Sequence, residues 1–256
     1  MQAPVPLPTE LAGIALTISQ STYGKGFPLP TLPVPIISIA QTNNCPQAPT
    51  PFPRGCIMTG ITVQVPYELV VDPFTMPPYT ALTITQDGVD SPSFNVNTAH
   101  DNVHILTCAG LAPCITHADG SLLSAGTLPV AGEILTIYLV GLGATTPLAP
   151  DGQPTPIPAP TIPCCFDPFV DLVFGANAGP SAPVMNRPAG QQATLTFAGL
   201  SPGQIGLYQI NFQLPATFPS IPACGVNGNL TVTSNLAINI GTPYYSHDGL
   251  SICVQP

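Results

Sequence analysis

The stretch ITVQVPYEL at residues 61–69 decides the fold, because the chain repeats it as INFQLPATF at residues 210–218. Two more segments recur in the same order. AGIALTI (12–18) returns as AGEILTI (131–137), and SFNVN (93–97) is answered by NLAINI (235–240). Ordered matches of this kind are typical of an internally duplicated unit. They predict two tandem immunoglobulin-like β-sandwich domains related by duplication.

Alternation within the second copy predicts a strand with one buried face. Side chains that share a face of a strand lie two residues apart. One face therefore carries Leu207, Gln209, Asn211 and Gln213, and the other, the expected core face, carries Tyr208, Ile210, Phe212 and Leu214. The same logic places Ile61, Val63 and Val65 in the core of the first copy. Pro66 and Pro215 end the two strands because proline cannot donate to a ladder.

Composition points to an all-β protein. The 256 residues include 35 prolines and 23 glycines, which interrupt every window long enough for a helix. Short β-branched runs bounded by turn residues remain. They predict strands at 14–19, 35–40, 61–66, 81–85 and 93–97, and then at 134–140, 169–174, 193–197, 207–214, 229–233 and 236–240. The Asp87-Gly88 turn predicts that the strands at 81–85 and 93–97 form a hairpin.

A division into domains follows from the repeats and the proline distribution. We expect a proline-rich N-terminal arm over 1–10, a first β-sandwich domain over 11–108 and a second over 109–256. The second domain contains a proline-rich linker over 147–163, expected to be extended and exposed.

Charge is scarce, which restricts the partners. Only 6% of residues are charged, the net charge is −9, and Lys25, Arg54 and Arg187 are the basic residues. This balance argues against nucleic acid and anionic membrane surfaces as partners. The longest apolar run, ILTIYLVGL from Ile134, is less than half of a membrane span. We therefore predict neither a membrane span nor a nucleic-acid partner.

The cysteines predict disulfides and an oxidising, extracellular location. Cys45 and Cys56, like Cys108 and Cys114, are near enough in sequence to close local loops. The adjacent Cys164 and Cys165 are expected to reach different partners because a bond between them would strain the peptide. Cys224 and Cys253 remain, and eight cysteines leave the full pairing open. The start MQAPVPLPTE lacks the features of a signal peptide. We therefore expect either the mature form of an exported protein or a fragment of a longer exported chain, and we favour the mature form.

Three longer segments resemble a known family. They are THADGSL (116–122), AGEILTIYLVGLGATTP (131–147) and LSPGQIGLYQINFQLP (200–215). They are similar to an extracellular C-terminal domain family of unknown function that is abundant in Acidobacteria, the Solibacter-type uncharacterised C-terminal domain. The resemblance implies secretion, an immunoglobulin-like or related β-sandwich and no established activity. Family copies usually end larger proteins and carry fewer cysteines, and we expect this chain to depart from both patterns.

Candidate ligand residues gather in one part of the sequence. His100, Asp101, His104, His117 and Asp119 are the titratable cluster that could hold a metal ion. Ordinary loop histidines explain the same residues, and we favour that interpretation. Asp87 and Asp90 offer oxygen ligands to calcium, although an Asp-Gly turn needs no metal. We therefore predict no cofactor and no metal, with His100, His104, His117 and Asp119 kept as weak candidates.

Catalytic patterns are weak. GLSPG (199–203) fits the nucleophile elbow G-x-S-x-G, but Pro202 lacks the N–H that the oxyanion hole needs after Ser201. The glutamates Glu10, Glu68 and Glu133 lie near strand ends, without the cleft that glycoside hydrolysis requires. We predict that the chain is not an enzyme.

These observations favour a secreted structural protein that associates with copies of itself or with other cell-surface components, in an extracellular fibre or surface layer. The N-terminal arm could then add to a neighbour's open sheet edge. The alternative is an adhesion module that binds polysaccharide or protein, with tyrosines such as Tyr244 and Tyr245 as its stacking surface.

Overall fold

All regular structure in the protein is β. The computed structural model describes residues 1–21, 31–43, 57–69, 79–108, 113–163, 167–183, 191–227, 230–244 and 246–256, and no helix occurs in these ranges. The strands are β1 (Glu10–Leu11), β2 (Ile14–Ser21), β3 (Leu32–Pro33), β4 (Ile36–Asn43), β5 (Ile57–Val63), β6 (Tyr79–Gln86), β7 (Val89–Asp90), β8 (Phe94–Val96), β9 (His104–Ile105), β10 (Ile115–His117), β11 (Ile134–Val140), β12 (Phe169–Phe174), β13 (Thr194–Leu200), β14 (Tyr208–Gln213), β15 (Gly225–Asn227), β16 (Leu230–Val232), β17 (Leu236–Gly241) and β18 (His247–Ile252). The all-β prediction is confirmed. No helix able to cross a membrane is found among the described residues.

The chain divides into two compact units, and the division differs from the predicted one. Unit 1 contains Met1–Ala99 together with Leu148–Thr155, and unit 2 contains His100–Pro147 and Pro156–Pro256. The predicted boundary after residue 108 shifts because β9 pairs with β11 of unit 2. The arm over 1–10 belongs to unit 1, and so does the middle of the proline-rich linker. Within that linker Ala149, Gly152 and Thr155 are buried, whereas the sequence predicted exposure.

Unit 1 packs two sheets around a small apolar core. β2 pairs antiparallel with β6, and β1, β3, β7 and β8 extend this sheet, while β4 and β5 form a second sheet. Side chains from both sheets meet in the core, as expected for a sandwich in which each strand turns alternate residues inward. The buried members are Leu16, Ile18, Val34, Ile36 and Ile39, and Ile61, Val63, Leu82 and Ile84 pack against them.

Unit 2 has a larger buried core. One sheet runs in the order β10-β11-β14-β13 with β9 also on β11, a second runs β12-β17-β18, and β15 pairs with β16. The predicted core face of β14 is confirmed, because Ile210 and Phe212 are fully buried and Tyr208 and Leu214 nearly so. The second sheet adds Val170, Leu172, Leu236, Ile238 and Ile240, all fully buried.

The repeated segments do not occupy equivalent places in the two units. In unit 2, β11 carries the repeated AGEILTI segment and β14 carries the repeated INFQLPATF segment, and these two strands pair directly in one sheet. Their counterparts in unit 1 lie in different sheets, since β2 pairs with β6 whereas β5 pairs with β4. Strand propensity is therefore repeated, but strand pairing is not. The immunoglobulin-like duplication stays a prediction.

The first copy of the Gln-x-Pro stretch also ends earlier than predicted. β5 stops at Val63, Gln64 turns inward, and Val65 is 61% exposed, so its expected core position is wrong. The amide oxygen Oε1 of Gln64 accepts a hydrogen bond from the Gly152 N–H at 2.7 Å. In the second copy Gln213 is exposed, and its Nε2 donates to the Gly132 carbonyl. A residue 88 positions away thus decides the geometry of Gln64, and the local pattern could not reveal it.

Two glycine-containing turns have a clear physical basis. Asp87 and Gly88 both have positive φ and join β6 to β7, which is the geometry of a two-residue hairpin turn. Gly141, directly after β11, has a φ of +79°, and a Cβ there would lie 1.9 Å from the carbonyl oxygen of Asn102. The Gly-Leu-Gly turn at 141–143 therefore lets the segment before β9 pass close by.

We predict that Gly141→Ala destabilises unit 2 more than Gly203→Ala. Both glycines have positive φ, but a Cβ at Gly203 meets nothing within 4 Å. The control, Gly203→Ala, should lower the free energy of unfolding by about 1–2 kcal/mol because alanine disfavours the left-handed conformation. Gly141→Ala should lower it further because Asn102 must also move. Urea unfolding measures both losses. Equal losses would show that the contact with Asn102 is unimportant.

Candidate functional site

The residues kept as weak metal candidates are dispersed in the structure. His104 on β9 is opposite Val140, and His117 on β10 is opposite Leu135. These two positions of β11 lie about 16 Å apart at the rise of a strand, too far for one ion. Among the described residues, no three His, Cys, Asp or Glu side chains are arranged to hold a metal.

His100 and Asp101 lie before β9. The His100 ring stacks on Tyr244 with centroids 3.9 Å apart, and its Nδ1 is 3.5 Å from Asp101 Oδ2. Burial raises the pKa of Asp101, although hydrogen bonds from Thr242 and Ser246 oppose the shift. Tyr244 was a predicted sugar-stacking residue, but His100 already contacts its ring. Tyr245 lies outside the described residues.

His117 instead fastens the loop between β10 and β11. Its Nδ1 bonds to Glu133 Oε1, and its Nε2 lies 3.1 Å from the carbonyl oxygen of Thr127. Both partners are acceptors, so the ring satisfies both only as the imidazolium, which donates from each nitrogen. The hydrogen bond to Glu133 accordingly raises the pKa of His117. The role of this histidine is to close a loop.

The other candidate aspartates accept local hydrogen bonds. Asp119 Oδ1 accepts the N–H and the hydroxyl of Ser121 at 2.9 and 2.6 Å. These bonds lower the pKa of Asp119. Asp90 Oδ1 accepts the Thr85 hydroxyl at 2.6 Å. These are the turn and cross-strand contacts expected of aspartate near hairpins.

Ser201 lies in the connection between β13 and β14. Its N–H donates to the Leu207 carbonyl at 2.8 Å, and its own carbonyl accepts from Gln204. The side chain is nearly buried, with 6% exposure. The GLSPG segment is therefore a turn that joins two antiparallel strands, and the strand-to-helix setting of a nucleophile elbow is absent from this described hairpin.

Two disulfides are seen among the described residues, both in unit 2. Cys108 bonds to Cys114, six residues away, and Cys224 bonds to Cys253 across 29 residues. The second bond ties the segment before β15 to the end of β18. Each closure of this kind stabilises a fold by about 2–4 kcal/mol. Cys45, Cys56, Cys164 and Cys165 lie outside the described residues.

Sequence reasoning missed a pair of carboxyl groups in unit 1. Asp151 forms a hydrogen bond with Glu68, and its Oδ1 accepts the N–H of Tyr67 at 2.9 Å. Burial first, and Glu68 second, raise the pKa of Asp151 to about 7. Two carboxyl groups bond in this way when they share a proton. The chain separation of Tyr67 and Asp151, 84 residues, hides the pair in the sequence.

The N-terminal arm lies along the edge of β4. The Ala3 N–H donates to the Ile37 carbonyl at 3.0 Å, and the Ile39 N–H donates to the Met1 carbonyl at 2.9 Å. Further along, the Ile36 N–H donates to Pro8, and the Leu7 N–H donates to Gly152. The arm therefore lies along β4 of its own chain, and its predicted addition to a neighbour's sheet edge stays a prediction.

The opposite side of unit 1 carries an uncharged surface, which we call the hydroxyl face. Cross-strand partners share a face of a sheet. Leu16 and Ile18 point into the core, so the alternate residues of β2 and their partners on β6 point outward. The hydroxyl face consists of Thr17, Ser19 and Ser21 on β2 and of Tyr79, Ala81 and Thr83 on β6, whereas the next pair, Ala15 and Thr85, borders the Asp90 carboxylate and lies outside it.

Hydroxyl groups on this face already have partners. The Thr83 and Ser93 hydroxyls lie 2.7 Å apart, and Asn95 Nδ2 donates to the Tyr79 hydroxyl at 2.6 Å. Polar groups with protein partners cost less to remove from water than unpaired groups. The hydroxyl face is therefore suited to contact with another neutral surface.

Unit 2 also has a shallow pocket of about 320 Å³. It is lined by Val130, Ala131, Phe218, Pro219, Gln255 and Pro256. None of these side chains titrates, so the pocket offers contact area without reactive groups.

We predict that the Tyr67 amide signal titrates with a midpoint near pH 7 and that Asp151→Asn abolishes this titration. The pKa of Asp151 is about 7 in the folded protein, against about 3.9 unfolded. Its contribution to stability is therefore complete below about pH 4 and is lost as the pH rises through about 7. Asp90→Asn is the control and should leave the Tyr67 titration unchanged. An unaltered midpoint in Asp151→Asn would contradict the assignment.

For His117 we expect a ring titration midpoint above its ordinary value of about 6.5, because Glu133 stabilises the cation. Glu133→Gln should return the midpoint toward 6.5, whereas Asp119→Asn should lower it only slightly. The stabilisation by His117 is complete below about pH 6.5 and is lost as the pH rises through the folded pKa. Proton NMR of the imidazole ring measures each midpoint. A larger shift in Asp119→Asn than in Glu133→Gln would be inconsistent with this pairing.

In comparisons with known proteins, no family model, no curated protein and no solved structure matched the chain. The resemblance described above therefore stays a prediction, and function is argued from the chain's own surfaces.

Proposed function

We propose that the chain is a secreted, non-enzymatic structural protein that associates with copies of itself in an extracellular fibre or cell-surface layer. The hydroxyl face is the observation that carries this proposal. It combines neutral side chains with internally bonded hydroxyls, so a second copy can cover it at a low desolvation cost. The disulfides support a non-reducing location.

Electrostatics makes the association sensitive to salt. Copies of a chain with a net charge of −9 repel one another at neutral pH. Salt screens this repulsion, since the Debye length falls from about 8 Å at 0.15 M to about 3 Å at 1 M. Contact through a neutral face should therefore tighten with salt, in contrast to binding between opposite charges.

We predict that sedimentation velocity shows concentration-dependent association that strengthens with salt. Thr17→Glu, on the hydroxyl face, should weaken it about tenfold or more, because the contact would bury an unpaired carboxylate. Thr62→Glu on β5 is the matched control, since it adds the same charge to an exposed position of unit 1. Circular dichroism checks that both variants fold.

Electron microscopy of native material completes the test, with fibres or layers as the expected result. Monomers at all concentrations, with no polymers in micrographs, would show that the proposal is wrong. Glycan or protein binding by such monomers would instead favour the adhesion module.

A further inference from the structure

The N-terminal arm contacts the rest of unit 1 mainly through its backbone. These contacts are mainly backbone hydrogen bonds to β4, and the Met1 nitrogen adds one to the Ile39 carbonyl at 2.6 Å. The side chains of Met1 and Val5 are 72% and 64% exposed. The arm is thus held largely by bonds that any extended segment in the same register can make, and of its side chains only Ala3, Leu7 and Pro8 are half-buried.

The connection to the rest of unit 1 allows the arm to leave without other changes. The arm pairs with the sheet of β4 and β5, whereas the next strand, β1, pairs with β2 in the other sheet. Thr9 is the one residue between Pro8 and β1. Rotation at Thr9 would release residues 1–8, a reach of about 26 Å when extended, and leave the hairpin of β1 and β2 intact.

We propose that in the assembled protein residues 1–8 of one copy leave their own β4 and pair with β4 of a second copy. This exchange rests on the proposed self-association and names its contact. It conserves the backbone hydrogen bonds, because the donors and acceptors of β4 are the same in both states, as in other domain-swapped assemblies. Because the hydrogen bonds are equal in both states, contact between the hydroxyl faces of two copies can then make the exchanged state the more stable one.

The prolines limit what the exchange can build. Ala3 directs its N–H toward β4, so the nitrogen of the following residue, Pro4, would point away from it, and proline has no N–H to offer. A second strand therefore lacks a donor there, and each β4 accepts one arm. Reciprocal exchange gives a closed dimer, and one-way exchange gives a filament.

Synthetic peptides test the acceptor edge directly. The truncated chain 9–256 should bind a peptide of residues 1–8. N-methylation of Ala3 in the peptide should weaken binding about fivefold or more, since it removes one backbone hydrogen bond. N-methylation of Gln2 is the matched control, because that N–H points away from β4, and it should leave the affinity unchanged. Calorimetry measures all three affinities. Equal binding of the two methylated peptides, or no binding of the unmodified one, would overturn the exchange.

Comparing the self-association of the truncated chain 9–256 with that of the full chain tests the exchange separately from the proposed function. The exchange requires that chain 9–256 associates at least about tenfold more weakly than the full chain. If both chains associate equally, the exchange is wrong and the proposed function stands, whereas if neither associates, both are wrong. Should the truncated chain fail to fold, the full-length double variant Gln2→Cys, Ser38→Cys joins paired positions of the arm and β4. Disulfide-linked dimers or polymers under associating conditions are expected, and bonds within single chains alone would overturn the exchange.

Discussion

Satisfying the backbone hydrogen bonds at sheet edges is the constraint on which the structure depends. A chain rich in proline cannot fill central strands, because each proline removes a donor from the ladder. Two of the proline-rich segments that the structure describes lie along edges instead. The arm covers β4, and the segment around Thr161 covers β13, where the Ile162 N–H donates to Ala198 and the Leu200 N–H donates to Pro160. The prolines thus both limit the sheets and cover their edges.

Side-chain amides of asparagine make long-range hydrogen bonds that hold segments of this chain together, a role that ion pairs fill in more charged proteins. Asn235 is fully buried and bonds to both the N–H and the carbonyl of Val254, which holds the end of the chain against β17. Asn177 binds Thr233 through its oxygen and Thr231 through its nitrogen. A neutral amide keeps such contacts at any pH and salt concentration. The contacts of His117 and Asp151 differ from these, because their strength changes with pH.

The sequence predicted what depends on neighbouring residues. The alternation of β14 located its core face, and the Asp87-Gly88 pair located a hairpin, because side-chain period and turn geometry are local properties. β18 was missed because Asp248-Gly249 resembles a turn. Gly249 is instead a strand residue whose missing Cβ admits Pro180, since a Cβ there would lie 2.9 Å from the Pro180 side chain. The Glu68–Asp151 pair and the coverage of β4 could not be predicted, since both depend on long-range packing.

The shifted pKa values make the stability of the fold depend on pH. The raised pKa values of His117 and Asp151 have the same sign, so both groups stabilise the fold more as the pH falls. The contribution of His117 is complete below about pH 6.5 and that of Asp151 below about pH 4. The lowered pKa of Asp119 acts in the opposite direction, but only below about pH 4. Acidification over the same range also reduces the repulsion that a net charge of −9 imposes between copies. Stability and the proposed self-association would therefore both be favoured by mildly acidic conditions.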